Sequence, residues 1–122
     1  MEDTLNYMLL IYLDEAWTGR PLAERQRLYE EQVKFTQDLG PGARYLAGSP
    51  LHPPSQGRTV RVRDGKPLLT DGPFAETREH LGGYMLIEAD SLEHAVALAT
   101  RAPLARVGTI EVRPVRQGPP AA

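Results

Sequence analysis

The run Asn6-Tyr7-Met8-Leu9-Leu10-Ile11-Tyr12-Leu13 restricts the fold more than any other stretch. It is apolar at nearly every position and too short for a buried helix. It reads as a strand covered on both faces, at the centre of a sheet. Tyr84-Met85-Leu86-Ile87-Glu88-Ala89, after the pair Gly82-Gly83, reads as a second buried strand. Strands of this kind need helices to cover them, and two are predicted. Pro21 and Glu24 open the first, in which Leu28, Gln32, Phe35 and Leu39 recur at i, i+4, i+7 and i+11, and Gly40-Pro41 ends it. Asp90 or Ser91 caps the second, with Leu92, Ala95, Val96 and Ala99 turned inward, His94 on the outer solvated face, and a stop at Arg101-Ala102-Pro103.

The rest of the chain supplies connections and outer strands. Asp14 to Gly19 is expected to be a loop with Trp17 as a packing anchor. Ala43 to Gly48 is a strand candidate, and the three prolines within Ser49–Pro54 predict a stiff, extended loop outside any ladder. Thr59-Val60-Arg61-Val62-Arg63 alternates apolar with basic. Asp64-Gly65 signals a hairpin, and Lys66–Thr70 returns with Pro67 marking an edge. Gly108–Pro114 alternates as a last strand, and residues 117–122 are expected to form a disordered tail after a single domain over 1–116.

The predicted order is strand, helix, strand, inserted hairpin, strand, helix, strand. That is an α+β sandwich of the ferredoxin-like βαββαβ kind, with helices on one sheet face. The other face needs cover, and a homodimer supplies it.

Composition removes several functional classes. Fourteen basic and sixteen acidic residues leave a formal net charge of −2, with no like-charge block, so neither nucleic acid nor an anionic membrane is an expected partner. The chain has no cysteine, which excludes disulfides, thiolate catalysis and Cys-ligated zinc and fits a reducing cytoplasm. No apolar run approaches the ~18 residues of a membrane span, and the acidic start Met1-Glu2-Asp3 is unlike a signal peptide.

Clustered chemistry is confined to Thr70-Asp71-Gly72-Pro73-Phe74-Ala75-Glu76-Thr77-Arg78-Glu79. Asp71-Gly72 predicts a tight turn, with Gly72 extended before Pro73 and Pro73 opening a short helical turn that pins Phe74 inward. A carboxylate fixed this way suits a general base or ligand anchor, and equally an ordinary Asx turn. Glu76 and Glu79 lack a histidine pair at ligand spacing, so no metal is expected. Among the histidines, His80 is placed at a rim. His52, in the proline-stiffened loop, is the one best placed to form an acid/base couple with Asp71. Gln32 interrupts an apolar stripe. Buried, it needs hydrogen-bond partners, and it serves either as a bonded structural amide or as a polar group lining a pocket. Arg61 and Arg63 share a strand face, most simply a solvated one.

Tyr7–Tyr12, Val60–Lys66, Asp71-Gly72-Pro73-Phe74-Ala75-Glu76-Thr77, Leu81-Gly82-Gly83-Tyr84 and Ile110–Pro114 together resemble the DGPF branch of the YCII-related proteins. The resemblance implies a dimeric α/β barrel of two ferredoxin-like protomers with facing sheets. It also implies a His–Asp pair as active site and a regulatory setting near extracytoplasmic-function sigma factors. A related branch includes an enzyme that eliminates chloride from a chlorinated hydroxyquinol. Where many relatives carry a first-helix histidine, this chain has Gln32, which moves no proton at neutral pH. Two functions follow as expectations. One is a cofactor-independent lyase or isomerase with Asp71 as base, His52 as its partner, Gln32 as orienter and Tyr12 and Phe74 as pocket walls. The other is a non-catalytic ligand-sensing module, for an unknown small molecule, associated with a sigma factor.

Overall fold

The structure, a computed structural model, describes residues 5–73 and 75–117. The chain runs β1 (Leu5–Asp14), α1 (Glu15–Thr18), α2 (Leu22–Gln37), β2 (Arg44–Pro50), a 3-10 turn (Pro54–Gln56), β3 (Arg58–Arg63) and β4 (Lys66–Asp71). It continues through β5 (Glu79–Ala89), α3 (Leu92–Arg101), a second 3-10 turn (Pro103–Arg106) and β6 (Thr109–Pro114). Four strands form an antiparallel sheet in the order β2-β5-β1-β6, and β3 and β4 form a separate two-stranded hairpin. This arrangement of antiparallel sheet and helices is compatible with a ferredoxin-like α+β fold. No helix of the described residues is long and apolar enough to cross a membrane.

The two apolar runs do occupy the centre of the sheet. Tyr7, Leu9, Ile11 and Leu13 of β1 point to the helix side and are buried, opposite Ile87 and Met85 of β5. Leu9 and Ile87 are fully buried, each stabilising the fold by roughly 1.5–3 kcal/mol through removal from water. Met8 and Leu10 of β1, beside Leu86 and Tyr84 of β5, face the other way and stay only half-buried. Trp17 is buried, as an anchor should be, but the segment holding it is helical rather than a loop. The Asp14 carboxylate accepts from the Trp17 backbone N–H at 3.0 Å and caps that turn.

Other local expectations need correction. In α3 Ser91 is the cap, its hydroxyl accepting from the His94 N–H. Ala95 and Ala99 are buried as expected. Leu92 and Val96 are exposed, however, and Leu98 takes the inward place, because the buried arc follows i, i+3, i+4 from Ala95. His94 is not solvated: its side chain is 24% exposed, and Nδ1 accepts from the Asp90 N–H. Ser49 and Pro50 lie inside the ladder at the end of β2, paired with Tyr84 and Gly83; an edge strand tolerates the proline. β5 starts at Glu79, so Gly82-Gly83 falls within it, at the bulge between Ile11 and Tyr12 of β1. Residues 75–78 form no helical turn. Gly72 is left-handed at φ 81° rather than extended. The hairpin turn is as read, with Asp64 and Gly65 both at positive φ. Residues 118–122 of the expected tail, and the Phe74 expected in a pocket wall, lie outside the described residues.

Candidate functional site

Two concavities adjoin the loop between β2 and the first 3-10 turn. The first, about 360 Å³, lies between α2 and the β2–β5 end of the sheet. Its origin is the stance of α2. α3 approaches β1, β5 and β6 directly, whereas the main close approach of α2 is to the Pro103–Arg106 turn. Gln32 holds that stance. It is buried, its Oε1 accepts from the Leu104 N–H at 3.2 Å, and its Nε2 lies 3.3 Å from the Met85 sulfur. The amide therefore satisfies an otherwise unpaired N–H at the start of the 3-10 turn. It is both a structural amide and a lining residue of the groove.

Tyr29, Val33 and Thr36 of α2 line the same groove, with Tyr45, Gly48, Ser49 and Pro50 of β2 and Gly82 to Met85 of β5. Burial holds the Tyr29 phenol above its ordinary pKa, and the Arg25 charge offsets part of that shift. The floor is backbone. A Cβ at Gly48 would sit 2.7 Å from the Tyr84 carbonyl oxygen and 2.8 Å from the Tyr45 hydroxyl, and one at Gly83 would sit 3.1 Å from the Ser49 carbonyl oxygen. Sequence reading missed Tyr29, Tyr45 and Gly48. A usable signal existed, since a glycine inside a strand marks close backbone approach.

The second concavity, about 750 Å³, is a polar cleft bounded by Asp14, Glu15, Pro53, Pro54, Ser55, Glu76, Thr77, Arg78 and His80. It takes in most of the charged stretch. Asp71 and His52 line neither concavity. Asp71 ends β4 with its side chain 88% exposed and pairs with Arg58, across the hairpin, at 3.0 Å. His52 is exposed in the proline segment, and no hydrogen bond joins it to Asp71. Tyr12 lies on the sheet face away from the helices and donates to Glu111 at 3.3 Å. Arg113 hydrogen-bonds the same carboxylate and holds it below the usual glutamate pKa. The structure thus places Gln32 in a groove, Tyr12 on the opposite face, and Asp71 on the hairpin. Among the described residues no three His, Asp or Glu side chains gather as metal ligands would.

The chain is 38% identical to an uncharacterized protein of Rhizobium meliloti (strain 1021), over 89% of this chain and 90% of that protein. Residues 5–118 match the YCII-related domain. The match spans every described element from β1 to β6, and the chain belongs to the YCII-related family.

Proposed function

We propose that this protein is a small-molecule-binding member of the family, with its ligand held in the groove between α2 and the glycine floor of β2 and β5. The observation that carries the reading is that groove: about 360 Å³, mostly apolar walls, and a few hydroxyls. Sites for small organic ligands have this make-up, at volumes of roughly 300–1,000 Å³. In the same proposal the run Asp71–Thr77 puts the chain in the DGPF branch, and the protein works in the cytoplasm without a cofactor. The half-buried apolar strip Met8, Leu10, Tyr84 and Leu86 packs against that of a second copy to form a dimeric α/β barrel.

Of the two functional variants, the sensing module is favoured over the Asp71-dependent lyase or isomerase. Among the described residues no Asp, Glu or His lines the groove, both ends of the Gln32 amide are engaged, and Asp71 is paired with Arg58 in solvent. Proton transfer needs a titratable group within hydrogen-bond reach of the substrate. A sensing role gives an extracytoplasmic-function sigma factor a place as the partner that reads the bound state.

A metabolite library screened by thermal unfolding tests both variants. The wild type and Asp71→Asn are expected to be stabilised by the same compounds, and Val33→Trp, which closes the groove mouth, by none of them. Compounds that stabilise Val33→Trp as well as the wild type place the ligand elsewhere. Turnover of a stabilising compound by the wild type, lost in Asp71→Asn, restores the enzyme.

A further inference from the structure

The groove also specifies the kind of molecule it accepts. Among the described residues no Asp, Glu, Lys, Arg or His lines it. A charged ligand would lose hydration there and gain no counter-charge from the lining. The nearest charge with a marked effect, Arg25, acts on Tyr29 from the helix surface and only partly offsets the burial of that phenol.

The floor selects for shape. Gly48 faces the same side as Met85, and Gly83 the same side as Ile11 and Pro50. Neither position has room for a Cβ, since peptide oxygens and the Tyr45 hydroxyl already occupy that space. The two strands therefore pack backbone against backbone there, the Tyr45 hydroxyl lies over Gly48, and the rings of Tyr29 and Tyr45 line the groove. A groove lined by tyrosine rings favours a flat body, which gains contact over the face it turns to them.

The polar groups select for an acceptor. The Thr36 hydroxyl donates to the Val33 carbonyl and the Ser49 hydroxyl to the Pro50 carbonyl. Gln32 is engaged at both ends. The hydroxyls of Tyr29 and Tyr45 make no hydrogen bond with any described residue. With the second N–H of Gln32, they are the side-chain donors open to a ligand.

We infer that the groove takes an uncharged, planar ring compound carrying a carbonyl or amide oxygen, seated on the Gly48–Gly83 floor and hydrogen-bonded by the Tyr29 and Tyr45 hydroxyls. This rests on the proposed function, since it concerns the same groove, and adds charge, shape and polarity to it.

Four probes of similar size test it: benzamide, benzoate, benzylamine (cationic at neutral pH) and cyclohexanecarboxamide. The readout is the backbone amide resonances of Gly48, Gly82 and Gly83 during titration of the full chain. Benzamide is expected to shift them saturably, with the two ions and the non-planar amide at least tenfold weaker. Tyr29→Phe is expected to weaken benzamide about fivefold, the size of one hydrogen bond. Val33→Glu changes an exposed position on the groove rim. It is expected to weaken benzamide and to favour benzylamine. Benzoate binding as well as benzamide, or cyclohexanecarboxamide matching it, overturns the inference and leaves the groove a ligand site. If none of the four moves these glycines, both the inference and the reading beneath it fall.

Discussion

α2 and α3 cover the same face of one sheet, yet only α3 lies down on it. The difference begins with side-chain size. α3 turns Ala95, Leu98 and Ala99 inward, and the two alanines let its backbone approach β1, β5 and β6. α2 turns Leu28 and Gln32 inward and leans on the Pro103–Arg106 turn. Gln32 is long, buried and tied to Leu104, so the helix is held off the β2–β5 end and a groove remains. One helix completes the core, and the other keeps part of the sheet accessible.

The largest expected effect comes from removing the closeness of α3. Ala95 is fully buried, and Ala95→Leu should cost about 2–3 kcal/mol in urea unfolding, because a packed interface has no room for the added carbons. On α2 a comparable change, Val33→Leu at a half-exposed groove position, should stay within about 0.5 kcal/mol. Equal losses at the two sites would mean that the helices are seated alike.

Next in size is the prop itself. Gln32→Leu leaves the Leu104 N–H without its acceptor, and a buried donor left this way costs about 1–3 kcal/mol. The added apolar surface recovers part of it, so a net loss of about 1–2 kcal/mol is expected. A neutral or stabilising result would show that α2 stands off without help from the amide. Asp71→Asn should be milder still, within about 0.5 kcal/mol, because the carboxylate and Arg58 are both exposed. The same unfolding curves compare the two variants directly. A loss at Asp71 exceeding that at Gln32 would shift structural weight from the groove to the hairpin.

How far these features are legible in the sequence follows the kind of signal each one gives. Central strands and helix starts were readable because burial on both faces leaves a continuous apolar run, and because Pro21 and Ser91 act locally. Gln32 could be picked out as anomalous, since a polar residue in an apolar stripe must be satisfied somewhere. Its partners, Leu104 and Met85, are far along the chain, and no local rule names them. The inward arc of α3 was misjudged at Leu92 and Val96 because hydrophobicity alone does not fix the phase of a short helix. Asp71 drew attention by its turn-forming neighbours, while its partner Arg58 is set by hairpin register. The groove was illegible for a different reason. It lies where α2 leans on the Pro103–Arg106 turn and not on β2, and its floor runs through Gly48 and Gly83, where strands pack backbone to backbone.

The smallest effect sharpens the comparison from the α2 side, through pH. Burial raises the Tyr29 pKa above its ordinary value of about 10, and Arg25 lowers it in part. The unfolded chain ionises at the ordinary value, so the folded state binds the phenolic proton more tightly. The stability this gives is present in full below the ordinary value and is lost as pH rises from there through the raised one. Tyr29→Phe should therefore flatten the alkaline fall in unfolding free energy. Arg25→Ala should raise the Tyr29 pKa further, read as a delayed tyrosinate absorbance. An alkaline limb unchanged in Tyr29→Phe would mean that the phenol is as wet as a surface tyrosine, and that α2 stands too far from the sheet to make a ligand slot.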